Sequence, residues 1–97
     1  MQARYLAPAR FELQKAARYY GEQSSSLASA FLAEVDRSLA QVRAFPDAAP
    51  ILRKPVRRKA LRKFPYGLLY YVARGEVIVV AVMHRRQRPE YWKNRLT

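Results

Sequence analysis

The feature that most constrains this chain is an uninterrupted apolar run from Val77 to Met83. The segment before it, Gly67 to Ala73, is rich in aromatic and aliphatic residues, and Arg74-Gly75-Glu76 between them contains the glycine that a tight hairpin turn favours. The pattern therefore predicts two paired strands. Because the second strand is apolar on consecutive residues, we expect it to be central in a sheet, covered on both faces and packed under helices.

Two amphipathic helices are predicted to cover this sheet. Small and apolar residues recur at helical spacing from Pro8 to Tyr20, and Gly21 follows as a stop signal. The hydroxyls of Ser24-Ser25-Ser26 can cap a second helix, whose apolar stripe runs from Leu27 to Val42. We expect this helix to end near Phe45-Pro46. Two helices joined by so few residues should form an antiparallel hairpin.

The other segments are shorter. Tyr5 and Leu6 fit a short strand before the first helix, and Asp47 to Pro55, with two prolines, predicts a loop. The basic run from Arg57 to Lys63 is typical of an edge strand with solvated charges. The tail from Pro89 to Leu96 begins with proline and predicts a last turn or a short helix.

Length and charge limit the possible organisation and partners. At 97 residues, 51% of them hydrophobic, the chain predicts a single domain over residues 1–97. Nineteen Lys and Arg against seven Asp and Glu give a formal net charge of +12. An anionic partner is therefore expected, and nucleic acid, an anionic membrane surface and an acidic protein segment all satisfy this charge.

Several kinds of site are not expected from the sequence. There is no cysteine, and one His with seven scattered carboxylates offers no cluster at metal-ligand spacing, so we expect no disulfide, metal or cofactor. The start, Met1 to Leu6, lacks the apolar run of a signal peptide, and Val77 to Met83 is too short to span a bilayer. These features predict a soluble cytoplasmic protein with no membrane partner.

Three stretches carry a family resemblance: Ala17 to Tyr20, Phe64 to Tyr71, and Val80 to Trp92. The second opens with an aromatic and a proline and runs into tyrosines, and the third leaves an apolar strand through histidine, arginines, a proline and an aromatic residue. In this order and spacing they resemble the RelE/ParE superfamily of toxins from type II toxin-antitoxin systems, closer to its ParE-like, plasmid-stabilisation members. The resemblance covers nearly the whole chain.

The resemblance implies a two-layer α+β fold. In it, an N-terminal short strand and a helical hairpin pack on a small, mainly antiparallel sheet, followed by a short C-terminal helix or tail. It also implies a toxin that a cognate antitoxin, with an acidic and partly disordered C-terminal segment, silences in a toxin-antitoxin hetero-oligomer. A net charge of +12 would attract such a segment.

Two family activities are compatible with the resemblance: RelE-like cleavage of messenger RNA in the ribosome and ParE-like inhibition of DNA gyrase by binding. The arginine that RelE-type nucleases place early in the third strand falls here on Gly67, which has no side chain to hold a phosphate. Such a loss should cost about 2–4 kcal/mol of transition-state stabilisation. Gyrase inhibition without catalysis is therefore the first hypothesis. A metal-independent nuclease is the second, and an inert or generic nucleic-acid-binding module is the third. If the chain is a nuclease, the candidate catalytic residues are Lys59, Arg62, His84, Arg85 and Tyr91.

The predicted partner surface is centred on the basic cluster after the last strand. Strand alternation assigns at least one of Tyr70 and Tyr71 to the core. Trp92 either anchors an interface or closes the open end of the core, and His84 is either a general base or a hydrogen-bonded structural residue. The residues expected to contact a partner are Arg58, Arg62, Tyr70, His84, Arg85, Arg86, Arg88 and Trp92.

Overall fold

A computed structural model describes residues 1–96 of the chain. In chain order the elements are β1 (Gln2–Tyr5), α1 (Ala7–Gln23), α2 (Ser25–Ala44), β2 (Ile51–Arg53), β3 (Val56–Ala60), β4 (Tyr66–Ala73), β5 (Glu76–His84) and a 3₁₀ helix (Lys93–Leu96). The strands form one sheet in the order β1-β5-β4-β3-β2, antiparallel throughout except for the parallel pair β1-β5. The predicted α+β fold, with its helical hairpin on a mainly antiparallel sheet, is confirmed. Within residues 1–96 no helix has both the length and the apolar character needed to cross a membrane.

The β4-β5 hairpin is the centre of the sheet, as predicted. Arg74 and Gly75 form its turn with φ values of 54° and 73°, the left-handed backbone that a two-residue hairpin turn requires. Val80 is an extra residue in β5, because Leu69 pairs with Ala81 whereas Tyr70 pairs with Val79. This bulge bends the strand and changes which side chains face the helices.

Both faces of β5 are covered. On the helix face, α1 and α2 enclose two apolar clusters with the sheet. On the outer face, the C-terminal segment folds back and inserts Trp92 into a third cluster. The buried members of this outer cluster are Val56, Leu69, Val80, Ala81, Met83 and Trp92.

The helical hairpin differs from the sequence expectation at one point. The stop predicted at Gly21 is wrong, because α1 continues to Gln23. Gly21 lies where the helices approach each other, and a Cβ atom there would be 3.6 Å from that of Ala28. The helix ends because Ser24 is extended, with φ of −170°, and its Oγ caps α2 by accepting from Leu27 N at 3.4 Å. The predicted cap is thereby confirmed.

The far edge of the sheet also corrects the prediction. Within the expected loop 47–55, Ile51–Arg53 forms β2 and pairs with β3, so β3 is not the edge strand. All three residues of β2 are exposed, which leaves no alternation of polar and apolar residues to reveal a strand. Nor are all charges of the basic run solvated, since Arg57 is half-buried and donates to the carbonyls of Asp47 and Ala49 at 3.0 and 2.8 Å.

Candidate functional site

Two basic loops meet at one end of the sheet. Tyr66 pairs with His84 there, and Arg85 N donates to Pro65 O at 2.9 Å, which fixes the chain after β5 against the β3-β4 loop. The exposed cations of these two loops are Arg62, Lys63, Arg85, Arg86 and Arg88, which we call the cationic end. Four of these five were predicted as partner contacts, and the structure brings them to one surface.

His84 is held in place by its neighbours. Its ring meets that of Tyr66 edge-on at 5.0 Å, and its Nδ1 accepts from Arg86 N at 3.0 Å. An acceptor at Nδ1 places the proton of the neutral ring on Nε2. Neither nitrogen then offers a free lone pair for general base catalysis, and the contacts correspond to the structural alternative for His84.

Arg58 lies across Gly67 on the neighbouring strand. A Cβ atom at position 67 would be 2.9 Å from Arg58 Nε and 3.3 Å from its Cγ, so a side chain there would displace the arginine. Arg58 Nε is buried and has no hydrogen-bond partner among the described residues. A guanidinium group thus covers the residue at which RelE-type nucleases have their own arginine. This contact was not predictable from sequence, because it depends on the register that places Arg58 beside Leu69.

Tyr91 does not belong to the cationic end. Its hydroxyl donates to Glu12 Oε2 at 2.7 Å, and the guanidinium of Arg95 lies 4.9 Å from the centre of its ring. Burial and, next, the hydrogen bond to Glu12 raise the pKa of the Tyr91 hydroxyl. A phenol held protonated in this way is poorly suited to accept a proton, and its own proton is already donated to Glu12.

Glu12, Tyr91 and Arg95 form a cluster that sequence analysis did not identify, here called the Glu12 clamp. Both guanidinium Nη atoms of Arg95 donate to the carboxylate of Glu12, at 2.9 and 3.0 Å. The same two residues bind the edge of β5 beyond the end of β1: Glu12 accepts from Val82 N at 3.0 Å and Arg95 donates to Val80 O at 3.1 Å. The clamp therefore ties α1 and the C-terminal segment to an otherwise open strand edge.

Three further predicted residues lie elsewhere. Tyr70 and Trp92 are each 1% exposed, and their polar atoms are satisfied within the chain: the Tyr70 hydroxyl donates to Pro46 O and Trp92 Nε1 to Pro89 O, both at 2.6 Å. We therefore remove both from the partner surface and assign them to the core. Lys59 is half-buried opposite Leu68 within the sheet, on the strand that leads into the β3-β4 loop.

Glu34 anchors the β3-β4 loop to α2. Its carboxylate accepts from Arg37 Nε and Nη2 at 3.0 and 2.7 Å, and from the backbone N of Arg62 at 2.6 Å. The hydrogen bonds from Arg37 are the largest cause, and the Arg62 amide a further one, of a Glu34 pKa below its ordinary value of 4.5. The base of the cationic end is thus fixed by a charged hydrogen-bond acceptor.

Replacing Glu34 with alanine is expected to lower the free energy of unfolding by about 1–2 kcal/mol at neutral pH, through lost charged hydrogen bonds. Because the folded-state pKa is lowered, this contribution is present above pH 4.5 and is lost as the pH falls through the folded-state value. Urea unfolding of both proteins across the acid range measures the effect. Asp36→Asn, at an exposed position two residues away, is the control. A stability difference that does not change with pH would contradict this assignment.

A family model described as "ParE toxin of type II toxin-antitoxin system, parDE" matches residues 3–89. A solved structure from P. aeruginosa, "Chromosomal ParDE TA system", is similar with a TM-score of 0.63 and 18% identity, over 87% of this chain and 95% of the other. At this identity the structure supports the fold alone. Among curated proteins no sequence matches.

Within residues 1–96 no group of three or more His, Asp or Glu is placed to hold a metal ion.

The match to the family model spans most of the chain and includes the helical hairpin, all five strands and the basic segment after β5. The chain therefore belongs to the ParE toxin family of type II toxin-antitoxin systems.

Proposed function

We propose that this chain is a cytoplasmic toxin that binds DNA gyrase and inhibits it, and that a cognate antitoxin neutralises it. The observation that carries the proposal is the match of the ParE toxin family model over residues 3–89. Inhibition by binding needs exposed surface and charge complementarity but no set of proton-transfer groups. The chain offers such a surface at the cationic end.

Three features favour binding over catalysis. Gly67 provides no side chain for a scissile phosphate, the Tyr91 hydroxyl is bound to Glu12, and Nδ1 of His84 accepts the Arg86 amide. RNA cleavage without a metal needs groups that accept and donate protons at the phosphate. Of the candidates for these roles in the described part of the chain, His84 and Tyr91 are engaged in structural contacts.

The antitoxin is proposed to cover apolar side chains on α1. Phe11 and Tyr19 are 61% and 56% exposed, and they line a groove that also includes Tyr66 and His84. Lys15, between them on the helix, lines the same groove. Exposed aromatic residues beside a cation suit an acidic segment that also carries apolar side chains.

Purified toxin is expected to stop the supercoiling of relaxed plasmid when it is in molar excess over gyrase. Controlled expression in bacteria should cause growth arrest with filamentation and DNA-damage signalling, while translated messages stay intact. Co-expression of the cognate antitoxin should restore growth, and Phe11→Asp should weaken this rescue. Full supercoiling activity in the presence of folded toxin would contradict gyrase as the target.

Ribosome-dependent cleavage of messenger RNA is the second candidate, because Arg58 supplies a guanidinium over Gly67. Tyr91→Phe distinguishes the two activities. It removes one hydrogen bond, with an expected cost of about 1–2 kcal/mol in stability, and should leave gyrase inhibition unchanged. Loss of toxicity in this variant at unchanged folded fraction, together with codon-positioned cleavage of messages in cells expressing the unaltered chain, would establish the nuclease instead.

A further inference from the structure

The cationic end has a strong excess of positive charge that the chain itself does not neutralise. Among residues 1–96, none of its five cations forms an ion pair. The nearby carboxylates of Glu34 and Glu90 are already bound, by Arg37 and by Arg53 and Lys93. Glu22 is also exposed near the end of α1. One such carboxylate against five cations leaves the net charge of this end strongly positive.

The backbone that presents these charges is fixed, while the side chains are free. Leu61 N donates to Tyr66 O at 2.9 Å across the β3-β4 loop, and Gln87 N donates to His84 O at 3.0 Å in the turn after β5. Lys63 has a φ of 68°, a left-handed conformation that non-glycine residues seldom adopt. Fixed loops lower the entropic cost of binding an extended anionic partner.

Arg58 adds an independent observation. Its Nε is buried without a hydrogen-bond partner, although buried polar groups are nearly always paired. Arg58 lies over Gly67, which pairs with Met83 in β5, two residues before Arg85. A phosphate that reached the Arg58 guanidinium would supply the missing acceptor, in the geometry that arginine recognises well.

The two basic loops themselves carry no exposed large apolar side chain, and the nearest one, Tyr19, lies on α1 beside them. This favours a phosphate backbone over an acidic protein segment as the partner of the loops. The exposed large apolar side chains of the described residues lie outside both basic loops, at Met1, Phe11, Tyr19, Leu32, Phe45, Ile51, Leu52 and Val72. Protein partners rely on such anchors, whereas a phosphate backbone binds through cations alone. Tyr66 and His84 meet edge to face, so they offer no open stacking platform for single-stranded bases.

We propose that the cationic end, together with Arg58, binds the phosphate backbone of duplex DNA without reading its sequence. Under the function proposed above, on which this role rests, the toxin contacts the DNA that gyrase holds as well as gyrase itself.

The test measures binding of the full chain to short fluorescent DNA duplexes by anisotropy at increasing salt. Arg85→Gln/Arg86→Gln is expected to lower affinity on the order of tenfold and to reduce the slope of log affinity against log salt by about 1.8, roughly 0.9 per lost phosphate contact. Two duplexes of unrelated sequence should bind equally. Both arginine side chains are exposed, so the thermal unfolding temperature should not change.

The matched control is Lys54→Gln/Arg74→Gln. It removes the same number of charges from exposed positions in the β2-β3 and β4-β5 turns, away from the cationic end. Equal loss of DNA binding in both variants, or no binding of duplex by the unaltered chain at low salt, would overturn the assignment. So would a cationic-end variant that binds duplex normally but no longer binds a polyglutamate peptide.

The gyrase assay separates this assignment from the proposed function. Duplex binding that depends on Arg85 and Arg86, without gyrase inhibition, would refute the proposed target and support the DNA surface. If the same substitutions abolish duplex binding but gyrase inhibition persists, gyrase is supported as the target. The cationic end then has no role in the inhibition.

Discussion

Replacing Trp92 with alanine is expected to lower the free energy of unfolding by about 3–5 kcal/mol, a large part of the stability of a domain of this size. The indole is 1% exposed and packs against Val56, Leu69 and Met83 on the outer face of the sheet. Its loss would leave a cavity under the C-terminal segment and release the chain that follows the basic turn. Urea unfolding followed by circular dichroism measures the effect.

Trp92→Phe is the control for this experiment. It keeps most of the buried apolar surface but loses the hydrogen bond from the indole to Pro89 O, so it should cost less than half as much. Limited proteolysis should cut the alanine variant near residues 85–91 before it cuts the phenylalanine variant. If Trp92→Ala costs under about 1 kcal/mol, far below the usual range for a buried tryptophan, the segment does not form part of the core.

Replacing Glu12 with alanine is expected to cost about 2–4 kcal/mol, because it leaves the partly buried guanidinium of Arg95 without its carboxylate. The side chains of Glu12 and Arg95 are 16% and 19% exposed, so water compensates only in part. The alanine variant also leaves the Val82 amide without an acceptor. Urea unfolding gives the energy, and hydrogen exchange at Val82 reports the opening of this strand edge.

Two companion variants separate charge from hydrogen bonding in the Glu12 clamp. Glu12→Gln keeps an acceptor for Val82 N but removes the charge. Hydrogen exchange at the Val82 amide should therefore stay closer to that of the unaltered chain than it does in Glu12→Ala. In the double variant Glu12→Ala/Arg95→Met no unpaired charge remains, and its stability loss should be smaller than the sum of the single losses. Strict additivity would show that the two side chains do not interact.

Elements with local signals were predictable from sequence. The β4-β5 hairpin follows from two strand-forming segments around Arg74-Gly75, whose backbone conformation few residue types adopt easily. The Ser24 cap follows from a hydroxyl preceding an apolar stripe. Gly21 and β2 were mispredicted for a common reason, because contact with a neighbouring element outweighed a weak local preference. Gly21 packs against Ala28 of α2, and β2 pairs with β3.

The candidate site was predictable as a set of charges but not as an arrangement. Arg62, Arg85, Arg86 and Arg88 were identified from composition and position, and the structure places them on one end of the sheet. Tyr70 and Trp92 were placed in the site as aromatic residues that a partner could contact, and Tyr91 as a nuclease candidate. In the structure, Tyr70 and Trp92 are buried and the Tyr91 hydroxyl is hydrogen-bonded to Glu12. Neither contact can be recognised from a few neighbouring residues of sequence.

By itself, the sequence determined the class of fold, the central apolar strand, the helical hairpin and the excess of positive charge, since these depend on periodicity, turn chemistry and composition. Tertiary structure alone decided that Arg58 covers Gly67, that Glu12 joins Tyr91 and Arg95 across the β5 edge, and that Trp92 closes the outer face. Apart from Arg58 and Gly67, on paired neighbouring strands, these contacts join residues far apart in the chain. Their partners follow from strand register, a bulge at Val80 and chain reversal, which short-range patterns do not specify.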